Sequence, residues 1–266
     1  MRIISLNANG IRAAARKGFF TWLSRQRADL CCIQETKAQV DQLTDTVFHP
    51  TNHHTYYVDA VKKGYSGVAM YSRHEPTKVI RTLREATDGN AGWDEFDAEG
   101  RYIELQFGDL SVVSLYLPSG SSKEERQLAK FRFLDLFMPF LEKAKKRKRQ
   151  YIICGDWNIA HKKIDIKNWR SNQKNSGFLP EERAWMDQLI HTHGYVDTFR
   201  EVNDKPDQYT WWSNRGNARA NNVGWRIDYQ IASPKLAGKT TKTRVYTDKP
   251  FSDHAPLITD YDLTLG

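Results

Sequence analysis

The 266 residues are 39% hydrophobic and 12% aromatic, enough apolar side chain for one large α/β core. No run approaches the ~18 apolar residues of a membrane span, and a mean hydropathy of -0.68 fits a water-soluble chain. Lys and Arg outnumber Asp and Glu by 40 to 32, a net charge of +8, which favours a polyanionic partner, nucleic acid or anionic lipid, without choosing between them.

Arg2–Asn7 enters a strand at once, with no signal-peptide core or cleavage site, and ends in the turn-like Asn7-Ala8-Asn9-Gly10. Gly18–Gln26 is a short helix candidate. Leu30–Gln34 is the second strand, and Glu35 follows its apolar run directly; a lone glutamate there is ordinarily a solvated cap. Tyr56–Asp59, Gly67–Tyr71, Tyr102–Phe107 and Ser111–Tyr116 read as further strands, the last two joined by Gly108-Asp109. Tyr116, closing its strand before Leu117-Pro118, reads by itself as an aromatic at a rim.

Lys123–Arg149 carries Phe133, Phe137, Phe140, Leu141 and Ala144 on one face, at the spacing of an amphipathic helix. Its end, Lys145 to Arg149, is all cationic and reads as a solvated terminus suited to the helix dipole. Tyr151–Cys154 is an apolar run of the kind buried on both faces of a sheet. Gly155 ends it, and Asp156 and Asn158 follow. In extended backbone these two point to one side, so a carboxylate and a carboxamide emerge together from a buried strand. An Asx turn closing the strand is the alternative reading.

Pro180–His193 opens with good first-turn residues and carries the stripe Trp185, Met186, Leu189 and Ile190. Arg226–Ile231 is a strand containing Asp228, a carboxylate that needs a partner if buried. Asp253 and His254 stand side by side before the final strand, Ala255–Tyr261. Cys31, Cys32 and Cys154 lie in apolar runs without metal-ligand spacing and read as reduced core residues of a cytoplasmic protein. There is no repeat, low-complexity tract or linker, so residues 1–266 read as one domain. The strands are too many for a single open sheet, and two packed mixed sheets flanked by helices accommodate them.

Four carboxylates (Glu35, Asp156, Asp228, Asp253), with Asn7, Asn158, Tyr116 and His254, thus gather at strand ends. No Cys or His cluster suggests zinc, and there is no nucleophile elbow. Oxygen donors without thiolates fit a hard cation, Mg²⁺ or Mn²⁺. A hard cation, an Asp–His pair and a basic surface point to phosphodiester hydrolysis.

Several ordered motifs make the chain resemble the exonuclease III family of abasic-site endonucleases, within the endonuclease/exonuclease/phosphatase superfamily. They are Asn7-Ala8-Asn9-Gly10-Ile11-Arg12, Gln34-Glu35-Thr36-Lys37, the run Gly155 to His161, Asn175-Ser176-Gly177-Phe178, the run Asn222 to Tyr229, and Ser252 to Pro256. The resemblance implies a four-layer sandwich, two β-sheets face to face with helices outside. It implies Mg²⁺, with Mn²⁺ as a substitute, at Glu35, with Asn7 and Asp253 in or near its shell and Asp156, Asn158 and His254 completing the metal set. It also implies that Asp156 activates water and Asn158 stabilises the transition state. His254, oriented by Asp228, would contact the scissile phosphate, with Tyr116 close by. Asn172 and Asn175 match phosphate contacts, and Trp211, Trp225 and Ile227 match the wall that receives an abasic sugar.

Two departures stand out. Trp211 replaces a smaller Phe common in relatives, while Ser171, Ser176 and Gly177 leave room for a base-free sugar. The stretches Leu117 to Arg126 and Asn168-Trp169-Arg170 resemble the catabolite repression control branch, but the acidic residues are kept. The expected protein is a monomeric Mg²⁺-dependent DNA repair nuclease acting on duplex DNA, at abasic sites or at recessed or blocked 3′ ends, and not at a membrane. A non-catalytic nucleic-acid-binding regulator and a lipid or inositol phosphate phosphodiesterase are the alternatives.

Overall fold

In the computed structural model, which describes residues 1–265, two six-stranded sheets pack face to face. The strands of the first half are β1 (Arg2–Asn7), β2 (Leu30–Gln34), β3 (His54–Val58), β4 (Val68–Ser72), β5 (Lys78–Ile80), β6 (Tyr102–Phe107) and β7 (Leu110–Tyr116). Those of the second half are β8 (Gln150–Asp156), β9 (Val196–Asp197), β10 (Trp211–Trp212), β11 (Gly224–Trp225), β12 (Asp228–Ala232), β13 (Thr240–Val245) and β14 (Leu257–Tyr261). One sheet runs β13-β14-β1-β2-β4-β3 and the other β5-β6-β7-β8-β12-β9, each with one parallel pair, β1 with β2 and β7 with β8. The small β10–β11 ladder stands apart from both.

Side-chain alternation sorts the apolar residues into layers. Ile3, Leu30, Cys32, Val68, Ile152 and Cys154 meet between the sheets. Ile4, Leu6, Cys31 and Ile33 face outward onto the helical segments around Phe19, Phe20 and Leu23. Val113, Leu115, Ile153 and Ile231 face the other way, onto helix Glu124–Ala144 and Trp185, Met186 and Leu189. Helix, sheet, sheet and helix therefore stack in four layers, the expected α/β sandwich. The three cysteines are free and buried, as read. No helix among the described residues is long and apolar enough to cross a membrane.

Some element bounds differ from expectation. Helix Glu124–Ala144 buries its predicted apolar face but stops before the basic run, because residues beyond Ala144 offer no apolar side to the sheet. Helix Pro180–Asp187 continues as a wider-wound π segment, Gln188–Thr192. The strand read as Arg226–Ile231 is Asp228–Ala232, which leaves Arg226 and Ile227 in the preceding loop. Strands β5, β9, β10, β11 and β13, and the helix Ile11–Arg16, are additions.

Candidate active site

Strand register collects the polar strand ends. Tyr116, Asp156 and Asp228 stand side by side across β7, β8 and β12. Asn7 and Gln34 pair across β1 and β2 in the facing sheet. Strand β8 lies tight against β7 because residue 155 is glycine: a Cβ there would fall 1.8 Å from the Leu115 carbonyl oxygen. Asn7 then joins the sheets. Its Nδ2 donates to Glu35 Oε1 and to Asp156 Oδ2, both at 2.9 Å, while its Oδ1 accepts the Asn9 N–H.

The strand ends at Asp156 and the chain turns. Asn158 adopts φ 52° and donates its N–H to Asp156 Oδ1 at 2.9 Å. An Asx turn, and not extended i, i+2 geometry, therefore brings these two residues together; the turn and the site are one feature. The Asn158 Nδ2 donates to the Leu117 carbonyl at 2.9 Å.

Electrostatics differentiate the carboxylates. Burial pushes the Asp156 pKa up to about 7, with Asp228 adding to the rise while His254, Asn7 and the Asn158 N–H oppose it. His254 Nδ1 donates to Asp228 Oδ2 at 2.9 Å, and its Nε2 lies 3.9 Å from Asp156 Oδ2. Burial lowers the His254 pKa, but the attraction of Asp228, with Asp156 and Asp253, outweighs it and raises the value to about 10. In its charged form the ring offers Nε2–H as a donor towards an anion.

At Glu35 burial raises the pKa, yet Lys37, with hydrogen bonds from Asn7 and Tyr116, leaves it below the usual range. The Lys37 ammonium sits 2.7 Å from Glu35 Oε2, a positive group where this carboxylate meets the cleft. Asp228 Oδ1 is buried without a hydrogen-bond partner among the described residues. Acidic oxygens, an amide, a cationic stand-in and no sulfur fit a cation bound through oxygen.

Asp253 is already engaged. Its Oδ1 accepts from Asn9 Nδ2 at 2.9 Å and Ser252 Oγ at 3.0 Å, and its Oδ2 from Trp211 Nε1 at 3.2 Å. Trp211 meets Trp225 edge to face, at 6.1 Å and 85°, and both pack with Ile227 and Phe178. The expected apolar wall is assembled at one side of a cleft of about 740 Å³, whose floor is Asp156 and His254. Asn175, Ser176 and Gly177 line the cleft. Asn172 does not: its exposed Oδ1 accepts from Asn175 Nδ2 at 2.8 Å, so it backs Asn175. Ser171 likewise turns to the Asn168 carbonyl.

The profile of the endonuclease/exonuclease/phosphatase family matches residues 4–254. The chain belongs to that family. Its relatives include an exodeoxyribonuclease of Bacillus subtilis, 38% identical over 97% of this chain and 98% of that protein. Another is the DNA repair nuclease APEX1 of Danio rerio, 37% identical over 97% of this chain and 81% of the relative. An AP endonuclease from Archaeoglobus fulgidus superposes with a TM-score of 0.85 at 27% identity, covering 99% and 100% of the two chains. The family and fold that the motifs imply are thus the ones found.

For an endonuclease/exonuclease/phosphatase protein, the cleft also holds Asn9 and Lys37, which sequence reading placed in motifs without a role, and Lys174 and Arg215, which it passed over. Lys37 had a signal, standing two residues after Glu35; Lys174 and Arg215 lie in polar loops and had none. Arg226, fully buried, donates through Nε to Asp165 Oδ1 at 2.8 Å and through Nη2 to Asp197 Oδ2 at 2.7 Å. That anchor holds the neighbouring Trp225 and Ile227 in the wall.

Proposed function

We propose that this family member is a Mg²⁺-dependent DNA repair nuclease that cuts phosphodiester bonds 5′ to abasic sites and at 3′ termini. The observation that carries the reading is Asp156. It is a buried carboxylate with its pKa raised to about 7, bridged to Glu35 through Asn7 and facing a charged His254 at the floor of an open cleft. A base poised near neutral pH beside a fixed positive charge is suited to water attack on a phosphate. The exodeoxyribonuclease and DNA repair nuclease relatives support the same class.

Glu35 would hold the cation, with Asp156 and the Asn7 and Asn158 amides beside it and Asp253 at the outer edge; bound there, Mg²⁺ or Mn²⁺ would supply charge to offset that of the phosphate oxygens. Asp156 takes a proton from water. The His254 imidazolium, oriented by Asp228, donates to a non-bridging oxygen, and Asn158 supplies a neutral donor with Tyr116 close by. Lys37, Lys174 and Arg215 line the cleft with positive charge suited to a DNA backbone. The Trp211–Trp225 wall gives an unstacked sugar or a frayed 3′ end an apolar surface. The free buried cysteines suit the cytoplasm.

An end-labelled duplex carrying an abasic-site analogue, incubated with and without Mg²⁺ beside an undamaged recessed 3′ end, tests the reading. Mg²⁺-dependent incision 5′ to the analogue is expected. No cleavage of either duplex would leave a binding protein on the same fold.

A further inference from the structure

A second cluster of ligand-type side chains lies outside the cleft, at the far end of the segment that carries Asp156 and Asn158. Its members are distant in sequence. His161 closes that segment and is buried, Asp187 ends helix Pro180–Asp187, and His191 follows in the π segment, one turn on. His161 Nε2 is 2.9 Å from Asp187 Oδ1, and His191 Nε2 is 3.5 Å from that same oxygen. One ligand atom from each of the three lies within 4.8 Å of the other two. Donors held tetrahedrally on one zinc ion at ~2.0–2.1 Å are themselves roughly 3.3 Å apart, so a small rotation of the side chains closes this triad into a three-ligand shell.

We propose that His161, Asp187 and His191 form a binding site for a transition-metal cation of the zinc class, separate from the carboxylate cleft and with its remaining positions open to water. Two imidazoles and one carboxylate suit Zn²⁺, Co²⁺ or Ni²⁺ and disfavour Mg²⁺, which demands oxygen. Lys162 is the built-in competitor: its half-exposed ammonium pairs with Asp187 Oδ1 and swings into solvent when the cation takes that oxygen. The effect on the fold is mechanical. The His161 N–H donates to the Tyr229 hydroxyl at 3.2 Å, and its carbonyl accepts from Arg183 Nε at 3.1 Å. A cation adds a clip from the His161 ring to the helix, fixing the outer end of the catalytic segment.

Calorimetric titration of the whole protein with ZnCl₂, in millimolar MgCl₂ to keep the cleft occupied, tests the site. Wild type is expected to bind one zinc per chain. His191→Ala, at a position 64% exposed and so compatible with folding, is expected to lose that binding while its circular dichroism is unchanged. Lys162→Ala is expected to bind several-fold more tightly. Co²⁺ in place of zinc is expected to give a visible d–d absorption band in wild type that is absent from His191→Ala. Zinc is also expected to raise the wild-type melting temperature, on the order of 5 °C at saturation, and not that of the variant. Equal zinc uptake by wild type and His191→Ala, or none by wild type, overturns the site.

Discussion

The Lys130 ammonium and the Glu182 carboxylate meet at 2.6 Å with neither side chain exposed to solvent. Lys130 Nζ also donates to the Asn158 carbonyl at 2.7 Å. Glu182 Oε2 accepts the backbone N–H groups of Gly177 at 2.7 Å and Leu179 at 3.0 Å. One ion pair therefore ties the long helix to the Asn158 turn and to the loop that presents Asn175. Lys130→Ala strands a buried carboxylate, a loss of about 3–5 kcal/mol. Denaturant unfolding should show it, with a lower kcat at temperatures where the variant is still folded. An unchanged midpoint would mean the pair has no such role.

The Asp228–His254 contact makes a prediction about pH. The folded-state pKa of His254 is raised from 6.5 to about 10, so its stabilising contribution is fully present below pH 6.5 and is lost as pH rises through 10. Nitrogen-15 NMR should find this ring still charged at pH 8. Asp228→Asn removes the main attraction and should bring the titration back towards the ordinary histidine range. A wild-type ring that titrates near pH 6.5 would contradict the assignment.

Asp156 titrates in the opposite sense for catalysis. The charged form is the base, so kcat/KM should climb as pH rises through about 7. Asp156→Asn should lower kcat by at least ~10²-fold, and a loss below tenfold would remove Asp156 from the base role. The raised pKa favours the folded state at low pH and loses that advantage as pH rises through 7. The variant should accordingly unfold at higher denaturant than wild type at pH 8.

Glu35 tests the cation. Nuclease activity should vanish in EDTA and return with Mg²⁺ or Mn²⁺. Mg²⁺ should raise the melting temperature of wild type by mass action and leave Glu35→Ala unmoved. Full cleavage in the presence of chelator would exclude the metal.

Trp211 should set substrate preference. Its indole is fixed by Asp253 and by Trp225, so it narrows that side of the cleft. Trp211→Phe is expected to raise the ratio of abasic-site incision to 3′ exonuclease activity. If the ratio stays constant while both rates fall, the ring supports the wall without selecting between substrates.

The strands that were legible in the sequence are those buried on both faces. Arg2–Asn7, Leu30–Gln34 and Tyr102–Phe107 match their observed bounds: Leu30–Gln34 is a nearly continuous apolar run, and Tyr102–Phe107 alternates apolar and polar residues at the period of a strand. Edge strand Thr240–Val245 alternates polar and exposed residues and carries no such signal. Glu35, Asp156, Asp228 and His254 were visible together as ionisable groups at or within apolar runs, and the motif resemblance gave them roles. What those partners are depends on register and on which sheet faces which, and these arise from packing between segments far apart in the chain. Thus Asn7 bridges two sheets, Asn172 stands behind Asn175, and His254 meets Asp228. Lys130 finds Glu182 across 52 residues, and His161 converges on the i, i+4 pair Asp187 and His191 although nothing in its own spacing announces it. Local pattern determined which segments are buried; long-range contact alone decided which atoms meet.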